Sequence, residues 1–359
     1  MKKGMAKFLI QVLIWGAFCF AFSFAFTYAV DPYNVFHVRD IRDNGVEPNK
    51  NYIKMSYVLS QPERFDSFVF GASRVGAIHV EKFEGERCYN MTYSAAMVWE
   101  NLENVRTMLA AGMKIRKIYI GVDSTSYTAD AEGREEDPMR IPYESAKRDP
   151  LHFLYLELDT ARTLRSFDTI LKHQPREGFA EDFYAYGWSI PYDQPGITPD
   201  VPVPYELVMG NAADPREQME HTLSALEELT ALCEKEGIEL VVFVQPMPAA
   251  AYVYSHELYF REFLERLATI TPYYNFSGFN DVTVDYGNYV DFSHYGAQTG
   301  DLVIACLQGE PVDEVLYSQG FGWYVTEDNI AELLEVLDKS EDMLWEKLPE
   351  LEFPNPEKP

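Results

Sequence analysis

Paired cysteines are missing from this sequence. It has four cysteines in 359 residues and no CxxC pair, which excludes a zinc knuckle, a thioredoxin-type redox site and a disulfide-built scaffold. Positive charge is scarce. Against 57 Asp and Glu stand only 30 Lys and Arg, a formal charge of −27. Such a chain repels phosphate backbones, so no nucleic acid is expected as a partner. Internal repeats and low-complexity tracts are absent too. With 47% hydrophobic and 24% charged residues, the chain can bury a core, which argues against disorder. Its length fits about two domains, or one large α/β domain with insertions.

Charge vanishes altogether over residues 8–30, where Gln11 is the main polar interruption. Twenty-three helical residues at a rise of about 1.5 Å reach roughly 35 Å, enough to cross a hydrocarbon core of about 30 Å. Lys2, Lys3 and Lys7 precede the run. The positive-inside rule then puts the N-terminus in the cytoplasm and the rest outside, as a single-pass protein of the cell membrane held by the bilayer. A cleaved signal peptide is the rival reading. Its apolar region is usually about 7–15 residues long, and Tyr28-Ala29-Val30-Asp31 is a poor cleavage site. Beyond the anchor lie Cys88, Cys233 and Cys306. Three is an odd number, so at least one thiol stays free; all three read best as small buried hydrophobes.

Residues 31–65 read as a juxtamembrane stalk with a short helix. An α/β domain is expected over 66–308. Short apolar runs at 66–70, 87–91, 117–122, 238–244 and 273–276 have the form of buried strands. Between them run helical stripes, such as Met219, Leu223, Leu226, Leu229 and Leu232. Strands alternating with helices predict a parallel sheet covered on both faces. A long insertion is expected at 124–215, with helix over 151–173 and an aromatic, proline-rich loop at 179–196. That loop could stack on sugar rings, or its aromatics could simply pack the insertion. Residues 309–359 form an acidic tail with an amphipathic helical pattern.

In such sheets ligands bind at the carboxyl ends of the strands. Two segments fall there. Gly71-Ala72-Ser73-Arg74 follows the first strand, where glycine permits a sharp turn and the serine hydroxyl can stand at a helix start. Val75 replaces the second glycine of G-x-S-x-G, so this is not the α/β-hydrolase elbow. Asp291-Phe292-Ser293-His294 precedes the last helix of the domain. Its aspartate can orient the imidazole, and the imidazole can serve as general base for a serine hydroxyl. Each segment alone also reads as an ordinary helix cap. Asp123, Asp291 and His294 could bind a metal, but their spacing matches no metal motif, and no cofactor is expected. The remaining histidines are scattered, and the two glycosylation sequons at Asn90 and Asn275 fall in strand context.

Taken together, a serine after the first strand and an Asp-x-x-His near the end resemble the SGNH or GDSL hydrolase family. The resemblance covers roughly residues 66–307. It implies a three-layer α/β/α fold, with Ser73 as nucleophile and Asp291 and His294 as its relay. Two blocks depart from the family pattern. The segment 89–94 lacks the glycine whose N–H serves the oxyanion. Gly121-Val122-Asp123-Ser124 carries aspartate where the family has an asparagine donor, and an ionised carboxylate cannot donate. Arg74, Asn90 and Asp123 are therefore the side chains to examine as the oxyanion or substrate-binding set.

Joined to an N-terminal anchor, the pattern resembles the membrane-anchored SGNH-like components of teichoic-acid D-alanylation and exopolysaccharide O-acetylation. That resemblance implies acyl transfer to or from hydroxyls of an envelope glycan, as O-acyltransferase or esterase. It also implies a membrane-bound O-acyltransferase as partner. The alternative is a catalytically degenerate protein that holds a glycan or scaffolds that partner.

Overall fold

The structure is a computed structural model, and residues 2–129, 133–172, 208–210 and 213–347 are described. The helices in chain order are α1 (Lys2–Val30), α2 (Lys50–Ser60), α3 (Val98–Ala110), α4 (Thr125–Thr128), α5 (Tyr143–Arg148), α6 (Pro150–Glu157), α7 (Thr160–Lys172), α8 (Pro215–Glu236), α9 (Ala249–Ser255), α10 (Phe260–Ile270), α11 (Ala297–Leu307), α12 (Glu314–Ser318) and α13 (Ile330–Lys347). The strands are β1 (Ser67–Gly71), β2 (Cys88–Asn90), β3 (Lys117–Val122), β4 (Glu239–Val244), β5 (Tyr273–Asn275) and β6 (Trp323–Val325). The chain divides into two compact units.

The first unit joins residues 1–57 to 134–181. Its helix α1 is long and apolar enough to cross a membrane, and its apolar window is exposed throughout. The helix stops where Asp31 takes a positive φ of 49°. The Asp31 carboxylate accepts from the backbone N–H groups of Val35, Phe36 and His37, a side-chain turn that competes with further helix. The segment expected as a stalk is packed. Tyr33, Val35 and Val46 are buried in one cluster with Ile141, Ala146 and Phe153. The expected helix over 151–173 is two helices, α6 and α7, with a break at Leu158 and Asp159.

The second unit joins residues 58–133 to 182–359 and carries a six-stranded sheet in the order β2-β1-β3-β4-β5-β6. The first five strands are parallel. Strand β1 is buried along its whole length, as its unbroken apolar run requires of a strand covered on both faces. Helix α8 starts at Asp214, whose side chain accepts from the N–H groups of Arg216 and Glu217. Met219, Leu223, Leu226, Leu229 and Cys233 are buried along it. The stripe ends on Cys233 rather than on the expected Leu232, which is half-buried. The cysteines at 88, 233 and 306 are unpaired and buried.

The expectation of an all-parallel sheet is corrected at one edge. Strand β6 comes from the acidic tail and pairs antiparallel with β5. The turn back is fastened by Asn275, which donates to Gly320 O at 2.9 Å and whose own carbonyl accepts from Gly322 N at 2.6 Å. The aromatic loop at 179–196 lies outside the described residues.

The strand order reverses between β1 and β3. A crevice forms at the carboxyl ends of strands at such a point, and the candidate site lies there.

Candidate active site

The site begins with the end of β1. Gly71 has φ +144°, and a Cβ there would collide with the Val75 side chain and approach Gly121 O. Glycine thus lets β1 stop close against β3 and turn at once. Ser73 then opens a short 3₁₀ turn, Ser73–Ala77. The last residue of β2 and the segment after it fasten that turn. Asn90 Nδ2 donates to Val75 O at 2.9 Å and Ile78 O at 3.2 Å. Thr92 Oγ1 donates to Ala72 O at 2.7 Å.

The second part is the loop before α11. Asp291 Oδ1 accepts from Ser293 N at 2.8 Å and His294 N at 2.9 Å. The same carboxylate faces His294 Nδ1 at 2.7 Å through Oδ2. Tyr289 and Tyr295 pair across the loop and are fully buried, which anchors it on the core. Helix α11 then runs directly against the serine turn. A Cβ on Gly300 would overlap Ala77 O.

These parts bring Ser73, His294 and Asp291 together. His294 Nε2 lies 2.7 Å from Ser73 Oγ. With Nδ1–H donating to Asp291, Nε2 is the acceptor for the serine hydroxyl proton. Burial pushes the Asp291 carboxyl up. The hydrogen bond and charge of His294, with the Ser293 and His294 amides, outweigh it and bring the pKa down to about 2. Asp291 thus stays a carboxylate that holds the imidazole in one tautomer. The arrangement can move a proton from a hydroxyl to an imidazole beside a fixed negative charge.

The three residues expected around the oxyanion have the following partners. Asn90 uses its amide hydrogens on the two turn carbonyls. Asp123 is fully buried and ion-paired to Arg74, with Nη1 to Oδ2 at 2.8 Å. It also accepts from Gln245 Nε2 at 3.0 Å and from Thr125 N at 2.8 Å. Arg74 Nε donates to Ser293 O at 2.7 Å. A buried carboxylate requires a partner, and Arg74 is that partner. Arg74 thus ties the serine turn both to the end of β3, through Asp123, and to the histidine loop, through Ser293 O. Asp123 therefore stands with Arg74 and not with Asp291 and His294 as a ligand set. Among the described residues, no cluster of three His, Cys, Asp or Glu side chains can hold a metal ion.

Sequence reasoning missed two residues here. Gln245 directly follows β4, and the rule that strand ends carry sites could have found it. Ala95 takes a positive φ of 51°, in a loop whose Tyr93 and Ala96 pack on Ala72. An alanine in that conformation is costly, and no local pattern announces it.

Fold and site together define an α/β protein with a mostly parallel sheet, a Ser-His-Asp constellation at its strand ends and one apolar helix long enough for a membrane. Compared with known protein families, curated proteins and solved structures, the chain finds no match.

Proposed function

We propose that this chain is an SGNH-like acyl-transfer enzyme, anchored in the cell membrane by α1, with its main domain outside. It acts on hydroxyls of an envelope glycan or polymer. One observation carries the reading: the 2.7 Å contact of Ser73 Oγ with His294 Nε2, with Asp291 on the other ring nitrogen. Ser73 Oγ attacks the acyl carbonyl carbon while its proton passes to Nε2. The tetrahedral oxyanion collapses, the bond to the donor breaks, and the leaving group takes the proton from Nε2. The acyl–serine is then attacked by an acceptor oxygen whose proton Nε2 removes; the bond to Ser73 Oγ breaks as that intermediate collapses, and Oγ takes the proton back from Nε2. A glycan hydroxyl as acceptor makes the protein an O-acyltransferase, and water makes it an esterase. With Asn90 and Asp123 engaged elsewhere, oxyanion donors come from the backbone, and the Ser73 amide is the nearest by covalent connection. A membrane-bound O-acyltransferase is the fitting supplier of the acyl group.

One observation favours a second reading, a catalytically silent glycan-binding or scaffold protein for that same partner. Asn90 is held on turn carbonyls and Asp123 is held by Arg74, so the side chains that would complete an oxyanion site are withdrawn from it.

The test is intact-mass spectrometry after a fluorophosphonate probe. A single adduct that disappears in Ser73→Ala and falls by about 10,000-fold in labelling rate in Asp291→Asn supports the enzyme. A folded protein that takes up no probe overturns it in favour of the scaffold.

A further inference from the structure

Outside α1, the described residues include eleven large apolar side chains that are exposed, and six of them lie between residues 151 and 171. On α6 they are Leu151 and Tyr155, one turn apart. On α7 they are Leu164, Phe167, Ile170 and Leu171. Leu164, Phe167 and Leu171 recur at i, i+3 and i+7, so they share one face. An apolar patch of this kind on a soluble surface marks a missing partner.

The patch continues the surface of α1. Thr163 Oγ1 meets Thr27 Oγ1 at 3.1 Å, and the Phe167 ring packs edge-on against Phe26 with centroids 5.4 Å apart. Thr163 and Ser166 are buried on the inner side of α7, leaving its apolar arc turned outward beside the exposed face of α1. Between α1 and the α6–α7 break runs a groove of about 610 Å³ whose lining is mixed, with Phe20, Phe24, Tyr155 and Leu156 beside Glu136 and Asp159, and Cys19 of α1 at its wall. Charge is distinctive as well. In a chain of −27, α7 carries Arg162, Arg165 and Lys172 against a single acid, Asp168. A basic amphipathic helix with a Leu/Phe face is the form that lies in a bilayer interface.

We infer that α6 and α7 form a lipid-facing collar around the outer end of α1, with the α7 apolar face sunk into the interfacial region and acyl chains entering the groove. This rests on α1 spanning the membrane, and the two claims separate experimentally. Cys19 is the exposed thiol, while Cys88, Cys233 and Cys306 are buried. The full chain is reconstituted in nanodiscs of phosphatidylcholine and phosphatidylglycerol. An environment-sensitive fluorophore on Cys19 then reads the anchor through quenching by nitroxide-labelled lipids. The collar is read in Cys19→Ser carrying Leu171→Cys or, independently, Tyr155→Cys. Glu228→Cys on the exposed face of α8 gives the water-facing value.

The expected result is lipid quenching at 171 and 155 about threefold or more above that at 228. Strong quenching at 19 with water-like values at both collar positions overturns the collar and leaves the anchor. Collar labels shielded from both lipid nitroxide and aqueous iodide overturn it in favour of a protein occupant. Water-like values at 19 as well overturn the anchor and the collar together.

Discussion

The two units bury charge in opposite ways. In the sheet unit, the fully buried Asp123 carboxylate meets the Arg74 guanidinium at 2.8 Å and Gln245 at 3.0 Å. In the N-terminal unit, Glu157 is fully buried and neither carboxyl oxygen has a hydrogen-bond partner. Burial pushes its pKa well up, and the nearby Asp31 and Asp159 add to the rise. A buried acid either acquires a counter-charge or keeps its proton. The first solution suits a place where two loops must be held in register. The second makes a region sensitive to proton concentration.

The largest expected effect comes from breaking the paired solution. Asp123→Ala leaves Arg74 buried without its counter-charge and costs about 3–5 kcal/mol. Replacing both partners with apolar residues, Arg74→Met with Asp123→Leu, costs less than the single change. Thermal midpoints of the wild type and the two variants in one detergent check the order, and a double variant less stable than Asp123→Ala would reverse the comparison.

Glu157→Gln tests the unpaired solution. Burial holds the folded pKa of this carboxyl above that of the unfolded chain, so the unfolded chain ionises it first as pH rises. Its folded pKa is raised, so its favourable contribution is complete below the ordinary glutamate range. That contribution is lost as pH rises towards the folded value, at up to about 1.4 kcal/mol per pH unit. The glutamine variant lacks that loss. Its advantage over wild type therefore grows as pH rises above the ordinary glutamate range, and parallel stability curves would contradict the assignment.

The smallest effect has the opposite sign. Asp291 is held at about pH 2, so its contribution is complete above the ordinary aspartate range and is lost as pH falls towards 2. Its side chain is about half exposed, which limits the contribution to below about 1 kcal/mol. Asp291→Asn should flatten the acid arm of the stability curve slightly and leave the alkaline arm unchanged.

These contrasts track what a sequence can display. Five strands were legible because each is a short apolar run between turn residues, as in residues 117–122 and 238–244. Ser73, Asp291 and His294 were legible as candidates because chain order and spacing are local features. The Arg74–Asp123 pair was not, since the two residues lie about fifty positions apart and each reads alone as a candidate for the oxyanion or substrate-binding set rather than as the other's partner. The packing of Tyr33 and Val46 on Ile141 and Phe153 was hidden for the same reason. Strand β6 was hidden because it lies in a segment whose acidic, amphipathic pattern reads as helical tail, and its pairing with β5 is set by contacts between distant residues.

Gly300 carries a consequence of its own. Helix α11 rests on the carbonyl of Ala77 with no side chain between them, and the loop bearing His294 leads straight into that helix. The reach from imidazole to serine is therefore gauged by bare backbone against bare backbone. A shim as thin as one methyl group would act on the whole helix as a lever. A displacement of about 1 Å at the reacting atoms is enough to cost a hundredfold in rate. The working tolerance of the site is thus kept at the far side of the serine turn, by the one residue type that adds no thickness.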